Sequence, residues 1–429
     1  MTEAPIMTAG HDMMDARALL RAMFDAAVDA ANPEMVLAQY LPQRPLGRCV
    51  VVGAGKAAGS MAVAVEKAWP DVELSGAVVA PYGYGKTASR IAVREAAHPV
   101  PDANSEAAAR EMLDMVKGLG PDDMVLALIS GGGSSVMALP VDGLTLADKQ
   151  TVNRALLASG LDIRTMNAIR RRLSAIKGGK LARAAAPARV FTLAISDIPG
   201  DDVSAIASGP TIPDPDAMRD LSSLAERLRD QISPAAYAQL MAPPVPMPPA
   251  PPPNVRLIAT PQASLEAAAA VARSAGYDVE MLGDDLEGES RDLAREMARR
   301  LDAPCPRPRV LLSGGETTVT LTGQKAGRGG RNTEFALSLA LSLAGRATVY
   351  ALAGDTDGED GASGGGAGAI ITPDTLARAQ DIGLHPEQSL SGHDSGSFFA
   401  DLGDLLVTGP TCTNVNDFRV ILQLPDDSQ

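Results

Sequence analysis

Five short apolar runs in this 429-residue chain each stop at a small or acidic turn. Cys49–Val52 runs into Gly53-Ala-Gly-Lys56, and Met124–Ile129 into Ser130-Gly-Gly-Gly-Ser-Ser135. Val190–Ile195 runs into Ser196-Asp-Ile-Pro-Gly-Asp-Asp202, Val310–Leu312 into Ser313-Gly-Gly-Glu316, and Val349–Ala353 into Gly354-Asp-Thr-Asp-Gly358. A short continuous apolar run reads as a strand buried on both faces, the habit of parallel sheets. In such sheets ligands bind beyond the carboxyl ends of the strands. The five turns therefore stand where an α/β protein does its chemistry.

Helical periodicity between these runs completes the pattern. Asp15–Ala31 places Leu19, Leu20, Met23, Phe24 and Val28 on one side, and helices are expected over Ser105–Lys117, Leu146–Ser159, Asn167–Arg183 and Leu265–Ala275. Alternating strands and helices predict two α/β domains with mostly parallel sheets flanked by helices. The proline-rich segment Met241–Pro253 is the expected boundary, with one domain over 1–240 and a second over 254–429.

Composition narrows the function. The net charge of −14 argues against non-specific nucleic-acid binding, which depends on basic surfaces. The three cysteines show no metal or disulfide spacing. No signal-like N-terminus and no run of 18 apolar residues appear, so no membrane partner is expected and a cytoplasmic location is.

The turns offer groups that suit a phosphorylated ligand. Gly53-Ala-Gly-Lys56 follows a strand and opens a helix, a place where amides and the helix dipole favour an anion. It fits neither the dinucleotide fingerprint, whose third glycine comes one residue late at Gly59, nor a Walker A loop. A structural turn with a solvated lysine is the plainer alternative. The three glycines Gly131, Gly132 and Gly133 expose successive amides, and Ser130 and Ser134 add hydroxyls. Asp197, Asp355 and Asp357 put carboxylates just past strands, where magnesium, which prefers one or two carboxylates with phosphate oxygens, could sit. Arg331, between glycines and Asn332, carries a fork matched to carboxylate or phosphate. Arg170-Arg-Arg172 through Lys177 and Lys180 is the one dense basic segment, either a solvated helix face or a wall that attracts an anionic substrate.

Taken in order, these segments resemble the class II glycerate kinases. Val51-Val-Gly-Ala-Gly-Lys-Ala, His98-Pro-Val-Pro-Asp, Leu128-Ile-Ser-Gly-Gly-Gly-Ser-Ser, Arg170 through Ile176-Lys-Gly-Gly, Ser196-Asp-Ile-Pro-Gly-Asp and Ala207-Ser-Gly-Pro-Thr are similar to the N-terminal part of that family. Ser313-Gly-Gly-Glu, Gly329-Gly-Arg-Asn, Gly354-Asp-Thr-Asp-Gly, Thr408-Gly-Pro-Thr and Thr413-Asn-Val-Asn-Asp417 resemble its C-terminal MOFRL part. The chain departs from the family pattern at Arg170-Arg-Arg172, at Cys412 and at His393-Asp-Ser-Gly396.

The resemblance implies ATP-dependent phosphorylation of D-glycerate, giving 2-phosphoglycerate, with the site in the cleft between two α/β domains. ATP and Mg²⁺ are the implied cofactors, glycerate and nucleotide the partners, and a homodimer is compatible with it. It places the family's important lysine on Lys56 and its arginine on Arg331, with Asp197 as the third catalytic candidate. Binding of nucleotide, phosphate or substrate is then expected at Gly53, Gly55, Ser130, Gly131, Gly132, Gly133, Ser134, Lys177, Glu316 and Asn332. The metal is expected at Asp197, Asp355 and Asp357. Alternatives are a hydroxypyruvate reductase using NAD(P)H, phosphorylation at the 3-hydroxyl, and a non-enzymatic sugar-acid sensor.

Overall fold

The computed structural model describes residues 9–246, 252–303, 305–321 and 326–425. The chain forms two compact units, and all five apolar runs are strands within them.

The 32–260 unit, which also takes in residues 412–414, is built on one sheet. Its strands are β1 (Cys49–Ala54), β2 (Leu74–Pro81), β3 (Ala92–Ala96), β4 (Met124–Ile129), β5 (Arg189–Ile195) and β6 (Asn254–Ala259), all parallel, in the order β3-β2-β1-β4-β5-β6. The two central strands are apolar at every position because both faces are covered; β1 and β4 are buried throughout. Val50, Val52 and Ala54 pack with Val125, Ala127 and Ile129 against Ala108, Ala109 and Met112 of the Ala103–Met115 helix. Strand order reverses between β1 and β4, the switch point at which such sheets hold ligands.

The expected boundary at 241–253 does not separate the units. β6, just beyond it, joins β5 in parallel with Thr192 opposite Val255, and the division falls between Thr260 and Pro261. A parallel neighbour needs a long crossover. The stretch from β5 to β6, with helices at Ser222–Leu228 and Pro234–Met241, supplies it. The proline-rich segment is part of that crossover, and its residues 247–251 lie outside the described residues.

The second unit comprises the Ala9–Ala30 helix with residues 261–411 and those from 415 onward. It contains β7 (Asp278–Met281), β8 (Leu286–Glu289), β9 (Arg309–Ser313), β10 (Gly315–Thr318), β11 (Val349–Asp355), β12 (Gly368–Ile371), β13 (Leu405–Leu406) and β14 (Asp417–Gln423). β8 and β10 form a separate parallel pair, and the main sheet has the order β13-β12-β11-β14-β9-β7. This sheet departs from the parallel expectation, since only β7 and β9 pair in parallel. β9 and β11 each run antiparallel to β14 between them, so they are parallel to each other. Their carboxyl ends share one edge with the start of β14, which keeps Ser313, Asp355 and Asp417 together.

Alternating residues give this sheet two apolar faces. Leu311, Val349, Ala351, Ala353 and Ile421 pack with Leu293, Met297 and Phe335 of the helices Ser290–Arg300 and Arg331–Leu343. Val310, Leu312, Tyr350, Leu352 and Val420 pack with Leu20, Met23, Phe24, Leu265 and Ala269 of the helices Ala9–Ala30 and Pro261–Ser274. The first helix of the chain therefore belongs to this unit, where it shares the cover of one sheet face with the Pro261–Ser274 helix.

One glycine tests the first sheet. Gly76, inside β2 at φ +139°, would place an added Cβ 1.9 Å from the Val51 carbonyl oxygen across the pair with β1. Gly118 has φ +71° but open space around it. We expect Gly76→Ala to cost about 2–3 kcal/mol or more, because clash adds to strain. Gly118→Ala should cost about 1–2 kcal/mol from backbone strain alone. Urea unfolding followed by circular dichroism checks the order, and equal losses would remove the steric argument.

Candidate functional site

The turns after β1 and β4 are zipped together by their backbones. Ser130 donates its amide to the Ala54 carbonyl at 3.0 Å, and Lys56 donates to the Gly131 carbonyl at 2.9 Å. Ala57 donates to Ser130 Oγ at 3.0 Å, and Gly55 to the Val79 carbonyl at 3.0 Å. The amides of Gly55, Lys56 and Ala57 are thus consumed inside the protein. This corrects the expectation that the first turn binds an anion through its amides. Gly53 and Gly55 have a steric role instead: an added Cβ would lie 2.3 Å from the Leu128 carbonyl oxygen at Gly53 and 2.3 Å from Ser130 Oγ at Gly55.

The second turn keeps donors available. Among the described residues nothing in the protein accepts the amides of Gly131 and Gly132. Each of the three glycines meets a different wall. A Cβ on Gly131 would lie 1.9 Å from Asp197 Oδ2, one on Gly132 3.3 Å from the His98 ring and 3.6 Å from Lys56 Cγ, and one on Gly133 2.8 Å from Ala207 Cβ. Asp197, just past β5, therefore stands against the loop, and the Lys56 side chain passes over it. Asn414 donates to Asp197 Oδ2 at 3.1 Å.

Behind the loop lies a cavity of about 190 Å³. Three cationic side chains line it, Lys149, Arg170 and Lys177, together with His98, Ser134 and Asn153. Lys149 and Asn153 share one face of the Leu146–Ala158 helix, which starts at a Thr145–Asp148 capping box. Arg170 closes the Ile163–Arg172 helix. A single helix was expected over Asn167–Arg183. The chain instead breaks after Arg172, turns through Gly178 and Gly179 at φ +64° and +79°, and restarts at Lys180–Ala184. That break turns Lys177 inward, where it is 2% exposed and donates to the carbonyl and hydroxyl oxygens of Ser134. Ser134 Oγ lies 3.0 Å from Ser208 Oγ.

None of the three cations is ion-paired among the described residues. Arg170 donates to Asn153 Oδ1 at 2.9 Å and to Asn167 Oδ1 at 3.3 Å, and Lys149 to the Leu173 carbonyl at 3.3 Å. Burial first, then Lys149 and Arg170, pushes the Lys177 ammonium well below the usual lysine range. Burial, then Lys180 and Arg170, lowers Lys149 to about 7. Burial also lowers Arg170. Charges buried without partners are costly, which is the physical cause of these lowered values.

The second unit solves its charge problem internally. Arg331 Nε donates to Asp417 Oδ1 at 2.7 Å, one terminal nitrogen to Asp355 Oδ2 at 2.8 Å, and the other to Glu316. Arg419 also binds Asp417. Burial opposes the Arg331 charge, but Asp417, Asp355 and Glu316 outweigh it and raise its pKa. Its fork, expected to meet a ligand, holds carboxylates of its own unit. Asn332 is likewise committed, donating its amide to Asp360 and its side chain to Asp417 at 2.7 Å. Asp355 also accepts the Asp357 amide, and Asp357 accepts that of Glu359. Among the described residues no three His, Cys, Asp or Glu side chains gather to hold a metal. The sequence reading overlooked Lys149, Asn153, Asn414, Asp417 and Arg419 as site residues. The i, i+4 spacing of Lys149 and Asn153 signalled the first two, and the Thr413-Asn-Val-Asn-Asp417 segment contained Asn414 and Asp417.

Comparisons with known proteins follow the same span. Residues 19–241 match the model of a domain of unknown function, DUF4147, and residues 309–417 match the MOFRL family. A protein from Agrobacterium vitis bearing a provisional hydroxypyruvate reductase name is 53% identical over 416 residues, 95% of each chain. The D-glycerate 2-kinase of Thermotoga maritima is 36% identical over 402 residues, 92% of this chain and 95% of that one. The crystal structure of a glycerate kinase from Thermotoga maritima matches with a TM-score of 0.85 at 34% identity, covering 96% of this chain and 100% of the other.

Removing the Arg331 guanidinium would leave Glu316, Asp355 and Asp417 facing each other with Arg419 alone to offset them. We expect Arg331→Met to destabilise the protein by about 3–5 kcal/mol, the cost of breaking a buried ion network. Arg328, whose guanidinium among the described residues reaches only the Ser363 carbonyl at 3.5 Å, should tolerate Arg328→Met with little change. Denaturant unfolding of both variants checks this, and equal, small losses would reject the structural role of Arg331.

Proposed function

The chain belongs to the glycerate kinase family that joins a DUF4147 domain to a MOFRL domain, and from that premise we propose that it transfers the γ-phosphoryl group of ATP to the 2-hydroxyl of D-glycerate. The observation that carries this reading is the uncompensated cationic pocket behind a glycine loop with two unused amides, at the switch point of a parallel sheet. Phosphoryl transfer asks the protein mainly for positioning and charge neutralisation. The amides of Gly131 and Gly132 are suited to phosphate oxygens, and Lys56, lying over Gly132, to the charge on the group in flight.

The donor set at the loop fits a magnesium ion. Mg²⁺ takes one or two carboxylates with phosphate oxygens and water. Asp197 is the carboxylate set against Gly131, whereas Asp355 is engaged by Arg331 and the Asp357 amide. Asp197 would therefore hold the ion, which supplies positive charge to the phosphates. Asn414, donating to Asp197 Oδ2, fixes the direction of that carboxylate.

A hydroxypyruvate reductase is less well served by this site. A dinucleotide needs free amides at the turn after the first strand to meet its pyrophosphate. Here those of Gly55, Lys56 and Ala57 are bonded within the protein, and Gly59 is backed by the Lys86 amide nitrogen, 2.8 Å from where its Cβ would be.

Incubation with D-glycerate and ATP–Mg²⁺ should give a product whose phosphorus NMR spectrum is that of 2-phosphoglycerate. A 3-phosphoglycerate spectrum would move the acceptor to the other hydroxyl, and turnover of hydroxypyruvate with NAD(P)H alone would replace the kinase reading. Lys56→Ala should lower kcat by about 10²–10³, the worth of one donor aimed at developing charge. Gly131 has no left-handed backbone to strain, so Gly131→Ala should act by displacing Asp197 and lower kcat at an unchanged melting temperature.

A further inference from the structure

We propose that Lys149, Arg170, Lys177 and Asn153 form the seat of the acceptor's carboxylate, and so select a small 2-hydroxy acid as the substrate. This rests on the kinase reading above and adds to it the residues that choose the acceptor. Three observations separate an acid from a nucleotide as the occupant. The cavity measures about 190 Å³, below the roughly 300–1,000 Å³ of clefts that take drug-sized ligands. A three-carbon acid fits such a space and a nucleotide does not. Val152, Leu156 and Leu173 line it with apolar surface, so a ligand there satisfies its oxygens on the cationic side. Finally, the free donors point to carboxylate and hydroxyl oxygens. Asn153 spends its carbonyl oxygen on Arg170, while its amide nitrogen donates to nothing among the described residues. Lys177 reaches the cavity with its Nζ held on Ser134.

The pocket also adjusts its charge to a monoanion. Lys149 faces Arg170, Lys177, Lys180 and the His98 ring, with no acid among the pocket's lining residues, and when empty it titrates at about 7. A bound carboxylate favours the protonated ammonium and raises that pKa. Acid binding above pH 7 therefore takes up a proton, and affinity falls as pH rises through the free value.

Calorimetric titration of the full-length protein without nucleotide tests the assignment. D-glycerate and D-lactate should bind, and glycerol, which keeps hydroxyls but lacks the carboxylate, should not. Lys149→Met and Arg170→Met should each weaken D-glycerate binding about tenfold or more, the loss of one charged hydrogen bond, and raise its KM in step. Arg170→Lys should restore part of the loss. The KM for ATP and the affinity for ADP should stay near those of the parent protein. Proton uptake on D-glycerate binding, read from buffers of different ionisation enthalpy, should disappear in Lys149→Met, a result that a purely structural lysine would not give. Loss of ADP affinity with D-glycerate binding intact would overturn the proposal in favour of a phosphate seat. Unchanged affinities, or equal binding of glycerol, would overturn it outright. A parent protein that binds D-glycerate in this way yet forms no phosphoglycerate would sink the kinase reading and leave the seat standing.

Discussion

The candidate site depends on how closely two turns approach. β1 and β4 are neighbours, and the backbone that leaves each is tied to the other by the Ser130–Ala54, Lys56–Gly131 and Ala57–Ser130 hydrogen bonds. Gly53 and Gly55 allow this contact, because any side chain at either would strike β4 or its loop. One turn spends its amides on holding the other in place. The other, freed from that task, keeps the amides of Gly131 and Gly132. Binding capacity at the second turn thus follows from rigidity at the first, which fits the general need for a preorganised electrostatic site.

The two units handle buried charge in opposite ways. In the 32–260 unit, Lys149, Arg170 and Lys177 converge on one cavity with only neutral oxygens as partners, and burial drives two of them toward losing their protons. In the other, Arg331 is surrounded by Glu316, Asp355 and Asp417 until its Nε and both terminal nitrogens have acceptors, and Arg419 adds a pair with Asp417. An unsatisfied cluster awaits something from solution, whereas a satisfied one locks a sheet edge. The same residue types at strand ends therefore serve binding in one case and architecture in the other, and counting them does not separate the two.

That difference sets what was legible in the sequence. The buried strands were legible because a strand covered on both faces must be apolar at every position, as β1 and β4 are. Strand direction was not, since Val310–Leu312 and Val349–Ala353 look alike whichever way β14 runs between them. The Ser130–Ser135 loop was legible because three consecutive glycines have few uses other than close backbone approach. The inward turn of Lys177 depends on the break after Arg172, which helical periodicity over 167–183 conceals. The commitment of Arg331 could not be read locally: its partner Asp417 lies 86 positions away. Nor could periodicity assign Ala9–Ala30 to a sheet whose strands all come after residue 277.

That first helix has a consequence for how the protein is made. Leu20, Met23 and Phe24 are made before every surface they cover, from Leu265 to Phe418, whose ring centroid lies 5.8 Å from that of Phe24. At ~5–20 residues per second the interval is roughly 20–80 s. Until the Pro261–Ser274 helix and the strands of this sheet follow, the nascent chain carries an apolar helix with nothing of its own unit to rest on, while the 32–260 residues are synthesised. Such a chain needs that stripe shielded during translation, and completing the last strand, β14, ends the exposure.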